Sequence, residues 1–95
     1  MTDKFFESLR ATLEQREQDY GPPDESHELI AEAWTWWLRA SAPRDGLRAL
    51  DVAAMMMLLK LARLAHGPTP EARRDSVLDL AGYAAVLARL DDDNT

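Results

Sequence analysis

The chain has 95 residues, seventeen acidic against eleven basic side chains for a net charge of −6, and no cysteine. That length makes one small domain, and the acidic balance argues against coating nucleic acid or a membrane surface, so neither partner is expected. Without thiolates any metal must take oxygen or imidazole ligands, which favours magnesium or manganese over zinc. The first residues show no hydrophobic signal core and no run is long and charge-free enough to cross a bilayer, which points to the cytoplasm.

The spacing of Phe5, Phe6, Leu9 and Leu13 predicts an amphipathic first helix over residues 3–19, with its apolar face on the core. Tyr20-Gly21-Pro22-Pro23 reads as a corner, because glycine tolerates the turn and two prolines cannot extend a helix. Asp24 or Ser26 can cap a second helix over residues 24–40. Its two faces separate His27, Ile30, Ala31, Trp34, Trp37 and Leu38, read as core, from Glu25, Glu28, Glu32, Thr35 and Arg39. A turn at Pro43-Arg44-Asp45-Gly46 leads to a central helix that begins near residues 47–50 and runs through 51–66, apolar in almost every direction and therefore buried. Only Lys60 and Arg63 interrupt it, on a single flank.

Gly67-Pro68-Thr69-Pro70 ends that helix, and a fourth is expected over residues 71–90. Val77, Leu80, Ala81, Ala84 and Leu87 are read as its inward positions, with Asp75, Asp79, Gly82, Tyr83 and Val86 on a second stripe. The acidic residues 91–95 are read as a disordered tail, leaving residues 1–90 as one helical domain. The fold expected is all-α, a four-helix bundle-like single domain. A central helix apolar on most sides in so short a chain also predicts that oligomerisation completes the core, as a homodimer or larger.

Several charged groups invite chemistry. Asp75 and Asp79 lie four apart on one face, a spacing that lets two carboxylates share a divalent cation and that also occurs on any solvated surface. Glu25, Glu28 and Glu32 form a row that is either half of an oxygen cage or the wet side of its helix. Asp51 reads as a first-turn acid favoured by the helix dipole. Lys60 and Arg63 either pair with Asp75 or Asp79 or hold phosphate. His27 reads as a hydrogen-bonded core or boundary residue, Met55, Met56 and Met57 as core filler, and Arg16 as a brace for the Tyr20 corner or an arm into a site. No nucleophilic triad and no glycine-rich phosphate loop is present.

The series Arg16…Tyr20-Gly21…His27…Ile30-Ala31…Trp34, then Asp51-Val52…Met56…Leu59-Lys60…Ala62-Arg63-Leu64, then Arg74-Asp75-Ser76…Asp79…Ala81-Gly82-Tyr83-Ala84 resembles a small phage and prophage family of MazG-like proteins, over residues 13–88. The resemblance implies an all-α, oligomeric nucleotide pyrophosphohydrolase that cleaves nucleoside triphosphates to monophosphate and pyrophosphate with Mg²⁺. Glu28 and Glu32 match the outer acids of that group's EExxE row, with Leu29 in place of the middle one. Asp75 and Asp79 resemble its second acidic pair at a different spacing. The implied roles are metal ligation by Glu28, Glu32, Asp75 and Asp79, catalysis by Glu28, Glu32 and Asp79, and substrate contact by Lys60, Arg63, Tyr83 and Arg16. The alternative is a non-catalytic phage-derived helical protein that sequesters a nucleotide or is directed at a host protein.

Overall fold

Residues 49–65 form the helix against which the others are arranged. The computed structural model of the chain describes residues 2–20 and 23–93, and these fold as α1 (Thr2–Tyr20), α2 (Pro23–Ser41), α3 (Ala49–Ala65) and α4 (Pro70–Asp93). No strand occurs among the described residues. α3 packs most extensively on α4 and then on α2, while α1 makes slight contact with α2. The tail boundary falls later than expected: α4 continues through Asp93, and residues 94–95 lie outside the described residues.

The buried apolar side chains are Ile30, Ala53, Ala54, Met55, Ala62 and Ala72, joined by buried Ser26 and Ser76. Alanine dominates, so the fully buried core is built largely from small side chains and encloses little volume. This corrects the inward face assigned to α4. Val77, Ala81 and Ala84 are exposed, whereas Ala72, Ser76, Leu80, Tyr83, Leu87 and Leu90 turn toward the other helices. Leu78, Ala81, Gly82, Ala85 and Val86 consequently form an apolar stripe in solvent.

The expected burial of α1 is also corrected: every side chain from residue 3 to residue 18 is exposed, including Phe5, Phe6, Leu9 and Leu13. On α2, Ile30 is buried as expected and Trp34 and Trp37 are half-buried, but His27, Ala31 and Leu38 are exposed. α3 has buried and half-buried positions over most of its length, yet Val52 and Leu61 reach solvent. The corner at residues 20–23 falls largely outside the described residues, though Pro23 opens α2, where a proline lacking an N–H is tolerated.

Two magnitudes show how open the fold is. The accessible surface is 7191 Å², against about 5,500 Å² for a compact monomer of this mass. Its radius of gyration is 16.0 Å, against about 12 Å for a compact chain of this length.

Candidate functional site

Asp51, at the third position of α3, is fully buried. Its Oδ2 accepts from the backbone N–H of Arg48 at 2.9 Å and from Arg48 Nε at 3.1 Å. Its Oδ1 accepts from Trp37 Nε1 at 3.0 Å and from Arg48 Nη2 at 3.3 Å. Four donors thus converge on two carboxylate oxygens, which compensates a buried charge. The Arg48 side chain and then its backbone N–H, with a smaller contribution from Trp37, hold the Asp51 carboxyl down to about 2 against the opposing effect of burial. The same bond raises the Arg48 guanidinium above its ordinary value.

One turn along α3, Trp34 Nε1 donates to the carbonyl of Met55 at 2.7 Å. Trp34 and Trp37 are three apart on α2, and their acceptors are four apart on α3, so the two indoles fix the antiparallel register of the pair. The α2–α3 connection adds a backbone constraint. Ala42 occupies the left-handed region at φ 44°, with its N–H on the Leu38 carbonyl at 2.9 Å, and Gly46 follows at φ 94°. Asp51, Arg48 and Trp37 therefore form a structural clamp, with no carboxylate oxygen left without a donor. Sequence reasoning saw Asp51 only as a dipole-favoured acid and missed Arg48; the signal available was an acid at the third helical position, three residues after an arginine.

The residues expected to carry chemistry are spread over the surface. Glu28 and Glu32 on α2, and Asp75 and Asp79 on α4, are all exposed. Among the described residues no group of three or more His, Asp or Glu side chains comes close enough to hold a metal ion, so the expected four-carboxylate set does not converge within one chain. Asp79 instead accepts an ion pair from Lys60 Nζ at 2.9 Å across the α3–α4 seam, with 13% of the Lys60 side chain and 51% of the Asp79 side chain in solvent. That is the ion-pair reading of the Lys60 flank. Arg63 and Tyr83 are half-buried, and Arg16 is exposed on α1; its expected brace to Tyr20 lies outside the described side chains. The hollow between α2, α3 and α4 is lined by Trp37, Leu50, Ala84, Leu87, Ala88 and Asp91, away from the expected acids. No described helix is long and apolar enough to cross a membrane.

Comparison with known proteins gives a family without an activity. The chain belongs to the family described as Domain of unknown function (DUF6378), whose model matches residues 6–91. The Gene 55 protein of Mycobacterium phage L5 is 42% identical over 76 residues, which cover 80% of this chain and 44% of that protein. The Gene 55 protein of Mycobacterium phage D29 is 31% identical over 91 residues, covering 95% of this chain and 55% of its own length. The chain thus spans about half the length of these curated relatives. No solved structure matches it.

Proposed function

Starting from membership of a family with phage relatives, we propose that this chain is a non-catalytic helical binding protein directed at a protein partner. The observation that supports this reading is the placement of the acids. Asp79, expected as both ligand and catalyst, is engaged by Lys60 at 2.9 Å, and Glu28, Glu32 and Asp75 face solvent, with no group of three or more acids or histidines placed to hold a metal ion among the described residues. A cation such as Mg²⁺ needs several oxygens in one shell, and a pair of exposed carboxylates holds it weakly. Apolar side chains, by contrast, are presented outward on every helix, with Leu78 63% and Trp36 60% exposed. Patches of that kind favour protein contacts.

A second reading keeps the MazG-like chemistry. Because Glu28, Glu32, Asp75 and Asp79 are all exposed, carboxylates from two subunits are free to meet, and a Mg²⁺ site would then exist only in an oligomer. In that case Lys60 and Arg63 would neutralise phosphate charge. Titration of the chain with magnesium and a panel of nucleoside triphosphates separates the two. The binding reading predicts no pyrophosphate release and no calorimetric heat. Magnesium-dependent release that disappears in Asp75→Asn would establish the hydrolase reading, and nucleotide binding without turnover would assign the chain to nucleotide sequestration.

A further inference from the structure

We infer that the outward face of α4 pairs with α4 of a second copy of this chain, antiparallel across a two-fold axis level with Gly82. Asp75, Leu78, Gly82, Ala85 and Arg89 follow one another along α4 in alternating steps of three and four, and all five are exposed. That spacing sets them on one stripe suited to helix–helix packing. Gly82 is the member of the stripe that its own chain does not account for. A glycine inside a helix weakens it relative to alanine, yet a Cβ built at Gly82 would meet nothing within 4 Å. No neighbour within the chain needs the missing side chain, whereas the backbone of a second helix crossing at this point would.

The stripe is also symmetric about that glycine, in charge as well as in shape. Asp75 and Arg89 each lie seven residues from Gly82 in opposite directions, and Leu78 and Val86 each lie four. An antiparallel pair centred on Gly82 therefore sets Asp75 level with Arg89 of the partner subunit, and the two-fold repeats the ion pair at the other end. Leu78 meets Ala85 and Val86 of the partner subunit. Like charges stay apart in this register, because the two copies of Asp75 are separated by fourteen residues of helix, about 21 Å, and so are the two copies of Arg89. Arg74, the cation beside Asp75, is turned about 80° around the helix from Gly82 and sits at the edge of the contact. A parallel pairing would set Asp75 beside Asp75 and Arg89 beside Arg89, so the charges select a second copy in the antiparallel sense. This goes beyond the function proposed above, and leaves Trp36 and the exposed face of α1 to a different protein.

The test is sedimentation equilibrium of the 95-residue chain and its variants from 1 to 100 µM, with helicity followed by circular dichroism. A contact confined to one helix from each copy falls among small interfaces, below about 1,200 Å², so the wild type should pass from monomer to dimer within this range. Gly82→Lys should give a monomer throughout, because two ammonium groups then meet at the axis, and its helicity should not fall, since lysine forms helix better than glycine and points into open space. Arg89→Glu should weaken the dimer about tenfold, as two ion pairs become two repulsions. Combining it with Asp75→Lys should restore the dissociation constant to within about twofold, a rescue that a folding defect does not produce. A wild type that is monomeric at 100 µM would overturn the inference. A dimer that either Gly82→Lys or Arg89→Glu leaves unchanged, or that the double variant fails to restore, would also overturn it.

Discussion

The α2–α3 seam and α1 are both built from amphipathic helices, yet they meet their surroundings in opposite ways. At the seam, two indole N–H groups and one buried carboxylate specify a single register through directed bonds. α1 offers larger apolar side chains, Phe5, Phe6, Leu9 and Leu13, and among the described residues these stay exposed. Apolar content alone therefore does not decide what becomes core. Directed bonds held by small neighbours win over a richer hydrophobic face that stays exposed among the described residues.

The sharpest way to break the seam is Asp51→Ala, which leaves the Trp37 N–H and the Arg48 guanidinium without their shared acceptor. A fall in thermal midpoint on the order of 10–20 °C is expected by differential scanning calorimetry. A change of only one or two degrees would mean that the clamp is ornamental. The same group sets an acid limit. Its carboxyl is held at about 2, below the ordinary value, so the stability it contributes is present above about pH 4 and is lost as pH falls toward 2. Asp51→Asn should flatten this part of the acid unfolding curve relative to the wild type.

A matched pair of indoles gives the next largest effect. Trp34→Ala removes a half-buried ring and its bond to Met55 and should cost about 2–4 kcal/mol in urea unfolding. Trp36→Ala, two residues away but 60% exposed, should change monomer stability by less than about 0.5 kcal/mol. Equal costs for the two would contradict the register described for the seam.

These contrasts also mark what the sequence makes legible. Four helices, their breakers and the buried central helix follow from periodicity, glycine and proline, because those signals are local. The packing faces follow less well. Hydrophobicity selects Val77, Ala81 and Ala84 as the inner side of α4, but the residues buried on that helix are Ala72 and Ser76. Of the candidate site, the Lys60–Asp79 ion pair was among the readings open from spacing. The clamp at Asp51 was not, since its strength depends on Trp37 and Arg48 converging from different elements. The coverage of α1 could not be read from periodicity, which shows that a helix has an apolar face and not where the matching face lies.

A smaller effect than that of Trp34→Ala, and of opposite sign, is expected from the loop that carries the chain from α2 into α3. Ala42→Gly relieves a left-handed backbone at φ 44° and should stabilise the chain by about 0.5–1 kcal/mol, checked by the urea midpoint. No gain would indicate that the alanine sits there without strain.

The measurement that tests the contrast most directly is native-state amide hydrogen exchange, resolved by segment, at 1 and 100 µM protein. Amides of α3 lie in the densest packing and should be protected to the same degree at both concentrations. Those of α1, whose side chains from residue 3 to residue 18 are exposed, should exchange much faster than those of α3 when dilute. Protection in α1 that equals that of α3 at 1 µM would contradict the account.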